Sequence, residues 1–145
     1  MSVKIAHPAA SNGASLQGTI AVPGDKSISH RALILGALSV GESNIHGLLE
    51  GTDVLATAKI LRAYGAHITQ GTDAVWRVNG LGVGGLMRPL DILDLGNSGT
   101  GARLLLGLAS AQGVTSIFTG DASLRLRPML RVITPLQQMG ARFEA

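Results

Sequence analysis

Leu16-Gln17-Gly18-Thr19-Ile20-Ala21-Val22, closed by Pro23-Gly24 and followed by a run from Ser27 to Leu38, decides how the fold is read. Leu16–Val22 alternates apolar with small or polar side chains, the period of a half-buried strand, and Pro-Gly ends it in a turn. Ser27–Leu38 has helical character, becomes more apolar toward its C-terminal half, and stops near Gly41. Ser43–Leu48 is then expected as a short strand. Thr52-Asp53 supplies N-cap chemistry for a second helix whose Val54, Leu55, Ala58 and Leu61 share a face, closing at Gly65. Strands Ala66–Gln70 and Ala74–Asn79 follow, joined by the turn residues Gly71-Thr72-Asp73. The predicted order is βαβαββ, an α/β (α+β) unit.

The same order begins again further on. Ile92–Leu95 is expected as a strand, and Gly96-Asn97-Ser98-Gly99-Thr100 as a glycine-rich entry to a helix running through Ala109. Ser116–Thr119 is expected as a strand, Arg127–Met139 as a helix and Ala141–Glu144 as the next strand. Gly36/Gly107, Gly41/Gly113 and Ile45/Ile117 lie 71 to 72 residues apart, and Gly65-Ala66 and Gly140-Ala141 lie 75 apart. Glycine is common, so the shared element order carries the repeat more than these identities do. The chain divides into an N-terminal segment 1–15, a first βαβαββ unit over 16–80, and a connector with a second, incomplete unit of the same domain over 81–145. Gly80–Met87, rich in glycine, is the connecting stretch. The second unit lacks the partner of its last strand, and an unpaired edge invites aggregation. A truncated chain or one part of a split protein is therefore expected, with fraying near Ala145 as the alternative.

Composition excludes several classes of function. With 46% hydrophobic and 14% charged residues the chain is too apolar for intrinsic disorder, and its 145 residues suffice for one core. The absence of cysteine rules out disulfides, thiolate metal sites and cysteine nucleophiles. His7, His30, His46 and His67 have no metal-ligand spacing, so neither a metal nor a cofactor is expected. Met87, Met129 and Met139 read as fillers of core gaps, and Trp76 as a packing residue in a strand. Aromatics at 3% argue against stacking platforms for single-stranded nucleic acid. Apolar runs such as Ala32–Leu38 are too short to cross a bilayer, and Met1–Gly13 has no signal or transit pattern. A cytoplasmic chain with no membrane or nucleic-acid partner is expected.

The cations are informative. Lysine and arginine number 12 against 9 acids, and Arg103, Arg125, Arg127 and Arg131 fall close together. Arginine's rigid fork of donors suits carboxylates and phosphates. Here the cations stand singly among glycines and hydroxyls, an arrangement that suits small anions better than a polyanion.

Three segments carry that chemistry. In Pro23-Gly24-Asp25-Lys26-Ser27-Ile28-Ser29-His30-Arg31, a glycine turn feeds a helix start with free N–H groups. Ser27 and Ser29 add hydroxyls, and Lys26 and Arg31 add charge, the parts of a phosphate or carboxylate site. The plainer reading makes Asp25 or Ser27 a cap and Arg31 a solvated side chain. In Leu95-Gly96-Asn97-Ser98-Gly99-Thr100-Gly101-Ala102-Arg103 a second helix starts from glycines, and a Cβ at Gly99 would push a bound anion away; a tight βα turn is the alternative. In Gly120-Asp121-Ala122-Ser123-Leu124-Arg125-Leu126-Arg127-Pro128-Met129, Pro128 suits a helix's first turn and places Arg127 at its entrance, while Arg125 reads as a surface charge. The spacing fits neither a P-loop nor a dinucleotide fingerprint.

Together, Gly24–Arg31, Leu95–Thr100 and Asp121–Met129 resemble the N-terminal signatures of the 5-enolpyruvylshikimate-3-phosphate synthase (3-phosphoshikimate 1-carboxyvinyltransferase) family. The likeness runs in order over nearly the whole chain from Leu16 onward. It implies two similar domains of three βαβαββ units each, with the active site between them, of which this chain is the front of one. The implied activity is a transferase of the shikimate pathway, on the way to chorismate and the aromatic amino acids. It moves the enolpyruvyl group of phosphoenolpyruvate to the 5-hydroxyl of shikimate 3-phosphate and releases phosphate.

Carried over by position, Lys26, Ser27 and Arg31 match the shikimate 3-phosphate contacts. Lys26 is shared with phosphoenolpyruvate, whose other contacts here are Gly99 and Arg127. Asn97 and Thr100 shape the loop or touch the ligand. The family's acidic proton acceptor lies downstream of Ala145, so the chain alone is expected to keep part of the anion site without turnover and to need the missing C-terminal portion as partner. Two alternatives stand beside this one. A UDP-N-acetylglucosamine enolpyruvyltransferase-like enzyme fits Lys26–Arg31 less well and usually carries a reactive cysteine. A non-catalytic anion-binding half would need a partner fragment.

The second motif departs from a common form of the family, which has Ala, Ala, Met and Pro at the positions of Ser98, Gly101, Ala102 and Leu104. This version is similar to a divergent bacterial subgroup, some of whose members tolerate glyphosate, often with Ala at the Gly99 position. The resemblance therefore predicts glyphosate sensitivity at that contact. Gly99→Ala in a complete enzyme is expected to weaken inhibition, and an unchanged inhibition constant would count against it.

Overall fold

The computed structural model describes residues 17–144; the expected N-terminal segment 1–15, with Leu16, lies outside the described residues. Helix α1 (Lys26–Leu38) starts after Asp25, whose extended backbone turns its carboxylate to accept the Ile28 amide at 2.8 Å. That contact is an N-cap. Ser29, His30, Leu33, Gly36 and Ala37 recur at helical spacing and form the buried face of α1. After strand β1 (Val40–Ile45), helix α2 (Thr52–Ala63) buries Val54, Thr57, Ala58, Ile60 and Leu61. Gly65, at φ +97°, lets the chain leave α2 with its amide returned to the Arg62 carbonyl.

Strands β2 (His67–Gln70) and β3 (Trp76–Leu81) complete an antiparallel sheet of order β1-β3-β2. Its register runs from Val40 opposite Leu81 to Ile45 opposite Trp76, and from His67 opposite Asn79 to Gln70 opposite Trp76. Along β3, Trp76 and Val78 are buried while Arg77 and Asn79 between them are half-buried, the two-residue alternation of a sheet covered on one side. Helix α1 comes close there: a Cβ on Gly36 would meet the Val78 Cβ at 3.2 Å.

The second half contains β4 (Leu93–Asp94), α3 (Gly99–Ser110), β5 (Phe118–Thr119), α4 (Ala122–Arg125) and α5 (Leu130–Gln138). Strands β4 and β5 are parallel, with Leu93 opposite Phe118 and Asp94 opposite Thr119. One hydrophobic core joins the halves, with Leu33, Leu61 and Tyr64 packed in the same cluster as Leu93, Leu95, Leu105 and Leu124. Each fully buried leucine contributes roughly 1.5–3 kcal/mol. Tyr64 is wholly buried and its hydroxyl donates to Ser116 Oγ at 2.7 Å, tying the end of α2 to the segment before β5. Among the described residues no helix is long and apolar enough to cross a membrane.

Several local expectations are corrected. Gln17–Val22 is not a strand; alternation makes a strand only where a neighbouring backbone supplies the ladder, and the segment pairs with none of the described strands. Ala141–Glu144 lacks strand structure for the same reason. The strand expected at Ser43–Leu48 begins at Val40, because its pairing with β3 runs up to Leu81. Gly80 and Leu81 are therefore ladder residues and not connector. The helix expected over Arg127–Met139 begins only at Leu130 and is α5 alone, since a proline disfavours helical backbone at the residue before it; the short α4 over Ala122–Arg125, not expected, precedes that span. Arg127 thus precedes Pro128 in an irregular link. Met87 (57% exposed) and Met139 (82%) are surface residues, whereas Met129 packs against the core.

His30 is wholly buried between α1 and α2, its Nδ1 2.8 Å from Thr57 Oγ1. Thr57 in turn donates to the Asp53 carbonyl at 3.4 Å, so the ring nitrogen facing it carries the proton and donates. Nε2 is buried without a hydrogen-bond partner. Protonating Nε2 would place a charge where nothing accepts it. Burial accordingly lowers the His30 pKa, with Lys26 and Arg31 adding to the effect and Asp53 opposing it. The unfolded chain then takes up this proton before the folded one does. Stability is expected to be full above the ordinary histidine value and to fall as pH drops below it, by at most about 1.4 kcal/mol per pH unit. Urea unfolding of the chain and of His30→Gln between pH 7.5 and 5 checks this: the variant should lose that part of the slope.

Candidate functional site

The first turns of three helices meet at one end of the fold. Lys26 Nζ, on α1, pairs with Asp53 Oδ2, on α2, at 3.1 Å, and His30 meets Thr57 one turn further along. Both contacts join residues 27 apart, so α1 and α2 run parallel with their N-termini at the same end. Helix α3 begins against Thr57: a Cβ on Gly101 would lie 3.1 Å from Thr57 Oγ1 and 2.5 Å from Ser98 Oγ. Gathering the N-terminal ends gives this edge the positive ends of the helix dipoles.

The amides at those tips are largely used by the protein itself, which corrects the expectation of two open, amide-lined helix starts. On α1 the Ile28 amide is taken by Asp25 and the Ser29 amide by the Asp25 carbonyl. On α3 Ser98 Oγ accepts the Gly101 amide at 3.2 Å and the Asn97 carbonyl accepts that of Gly99 at 2.9 Å. What faces outward is mainly cationic side chains. Lys26 is half-exposed, held by Asp53, and Arg31 is exposed with Nη1 donating to the Ser27 carbonyl at 3.1 Å. Ser27 is half-buried. Ser29, expected to offer its hydroxyl to an anion, is buried; it donates to the Asp25 carbonyl at 2.7 Å and accepts the Leu49 amide at 2.9 Å.

Asn97, Gly99 and Arg127 do come together. The parallel pairing of β4 and β5 places the loops that follow them side by side, and Asp121 N donates to Gly96 O at 2.9 Å. Arg127 Nη2 donates to Asn97 Oδ1. Its other terminal nitrogen lies where a side chain on Gly99 would go, 2.5 Å from the position of a Cβ. Gly99 therefore makes room for the Arg127 guanidinium, a more direct constraint than room for an anion. Arg103 Nη1 donates to the Gly99 carbonyl at 3.0 Å, so two guanidinium groups flank this glycine. Thr100 is half-buried beside them, and Arg125 is exposed.

Three participants escaped the sequence reading. Asp53 looked like capping chemistry for α2, yet it holds Lys26. Arg103 was one more cation in the inventory, although its spacing of four from Gly99 on a helix places both on one face. Asp121 caps the short α4, accepting the Leu124 amide at 2.7 Å, and also accepts from Asn97 Nδ2 at 2.7 Å. Those hydrogen bonds, the Asn97 amide first, hold the Asp121 carboxyl below the usual carboxylate range. Among the described residues Arg127 forms no ion pair with a carboxylate.

Comparison with known proteins bears on this geometry. The family model described as EPSP synthase (3-phosphoshikimate 1-carboxyvinyltransferase) matches residues 10–145. The 3-phosphoshikimate 1-carboxyvinyltransferase of Paramagnetospirillum magneticum is 65% identical over 130 residues, covering 90% of this chain and 29% of the relative. That of Sphingopyxis alaskensis is 61% identical with the same coverage, 90% and 29%. Among solved structures, EPSP synthase from Acinetobacter baumannii superposes with a TM-score of 0.84 at 45% identity, covering 88% of this chain and 29% of that one. The chain thus spans about 29% of the length of the curated relatives it matches. With the family model matching nearly the whole chain and the mixed α/β architecture matching a solved member, the chain belongs to the EPSP synthase (3-phosphoshikimate 1-carboxyvinyltransferase) family.

Proposed function

We propose that this chain supplies one wall of an enolpyruvyl-transfer site acting on phosphoenolpyruvate and shikimate 3-phosphate. The single observation that carries the reading is the clustering of Lys26 and Arg127 around adjoining helix starts, in a chain whose relatives bear that activity in their name. In this reading Lys26, Ser27 and Arg31 hold shikimate 3-phosphate. Lys26, Gly99 and Arg127 hold phosphoenolpyruvate, while Asn97 and Thr100 shape the tip of α3.

The chemistry explains the need for cations. Protonation of the phosphoenolpyruvate methylene makes the adjacent carbon electrophilic, and the 5-hydroxyl oxygen adds there and gives up its proton. The adduct then expels phosphate and loses a methyl proton to restore the vinyl group. Two anions must be brought within bonding distance, and fixed cations offset their repulsion and hold them in line. Lys26, which the family resemblance assigns to both ligands, is held at the start of α1 by Asp53 with its side chain half-exposed.

The same reading divides the domain into a first unit that shows the order αβαββ, ending with β3, and a second, incomplete one after it, in which α1 corresponds to α3, β1 to β5 and α2 to α5. Further chain would pack on the groove of about 400 Å³ between α1 and α3, whose walls include Ile34, Leu35, Leu38, Leu104 and Leu108. Such apolar surface favours covering, and the relatives' greater length supplies the means.

Two experiments test the proposal. Phosphate release from the substrate pair should be absent with the 145-residue chain alone and appear when the rest of a family member is supplied in trans. Lys26→Ala should cut that activity tenfold or more, the effect of losing a charge-assisted hydrogen bond of roughly 1.5–3 kcal/mol; no release from any mixture would overturn the reading. Separately, Gly99→Ala should displace the end of Arg127, a flexible group that can yield. Affinity for phosphoenolpyruvate in the complemented enzyme should fall about tenfold with the unfolding midpoint of the chain little changed, as read by titration and thermal melting.

A further inference from the structure

The Arg127 guanidinium stands at the end of a hydrogen-bonded chain whose polarity is set by its first member. Asp121 is acceptor-only when ionised, and both its oxygens are engaged: Oδ1 by the Leu124 amide at 2.7 Å and Oδ2 by Asn97 Nδ2 at 2.7 Å. An asparagine amide can present either end to a neighbour, but only its NH2 can face a carboxylate. That choice leaves the Asn97 carbonyl pointing the other way, at Arg127, which can only donate. The three groups therefore have one consistent arrangement.

The backbone fixes the ends of the chain. Asp121 N is bound to Gly96 O at 2.9 Å, and Arg127 N to Leu124 O at 3.0 Å, so the carboxylate and the arginine are both referred to the single turn of α4. On the far side the guanidinium packs into the space left by Gly99. Without the Asn97 contact, Arg127 would be a long side chain free to leave that space, and ordering it at the moment of binding would cost affinity.

We propose that Asp121, acting through the Asn97 amide, is a positioning residue that holds the Arg127 guanidinium against Gly99 before any anion arrives. Asp121 itself does not touch the ligand. Its charge is taken up by the Asn97 and Leu124 donors, so the donors of Arg127 that Asn97 leaves unused remain available. The inference rests on the reading of Arg127 as an anion contact for its purpose, but the ordering of Arg127 is a property of the unliganded chain.

The test uses the 145-residue chain with arginine side chains labelled with 15N, comparing order parameters of the Nε–H groups of Arg127 and exposed Arg125. Arg127 should be clearly the more ordered. Asp121→Ser, which keeps a cap for the Leu124 amide, and Asn97→Ala should each bring it to the level of Arg125, while backbone amide shifts outside the two loops stay in place. Titration with inorganic phosphate should then show binding weakened several-fold in both variants. An Arg127 no more ordered than Arg125 in the parent chain, or equally ordered in both variants, would overturn the proposal. If its order changes as expected but phosphate does not shift the parent's Arg127 signal, the positioning role stands and the anion-site reading fails instead.

Discussion

The hydroxyl of Thr57 is where three helices touch, and the arrangement of the candidate site depends on it. It hydrogen-bonds the buried ring of His30 on α1, lies over the Asp53 carbonyl of its own helix, and sits where a side chain on Gly101 would enter from α3. A polar contact this deep is worth little unless every member is paired, and costly if one is not. Among the described residues His30 Nε2 is left buried and unpaired at this contact, and Arg103 Nε on α3 is likewise buried without a partner. By fixing α1 and α2 side by side, the Thr57 contact keeps Lys26 within reach of Asp53, and by admitting the glycine of α3 it brings Gly99 to the same edge.

That edge differs from a simple anion nest. Asp25, Ser98 and Asn97 satisfy much of the backbone at the helix starts, so the helices are stable without a ligand. Positive potential comes chiefly from side chains that are restrained but not neutralised. Lys26 shares a carboxylate with α2 at a half-exposed position, where such a pair is weak. An incoming anion can compete for it. Arg127 is restrained by a neutral amide and keeps its full charge.

The loops that carry Asn97 and Arg127 follow the C-terminal ends of adjacent parallel strands, the place in parallel sheets where ligand contacts tend to gather. The pairing of β4 with β5 is only two residues long, yet it sets which loop residues face one another. The extra backbone bond from Asp121 to Gly96 carries the alignment past the strand ends. Burial of Leu93, Leu95 and Leu124 beneath those loops keeps the platform rigid.

Helices α1 to α3 could be read from the chain alone because capping residues, glycine stops and 3.6-residue apolar spacing are local signals. The candidate contacts Lys26, Ser27, Arg31 and Gly99 were picked out by another local pattern, a glycine turn before a helix next to a cation, and Arg127 by the proline that follows it. Strand limits were less legible: Val40 and Leu81 extend β1 and β3 only because they find each other across 41 residues. The roles of Asp53 and Asp121 were hidden for the same reason. Each looks like an ordinary cap in sequence, and each acquires its partner only when a second element is packed beside it. Local propensity thus determined which segments form and where charge collects. Which charges meet, and which are left free, was decided by the packing of distant segments, because hydrogen bonds and ion pairs act over a few ångströms whatever their separation along the chain.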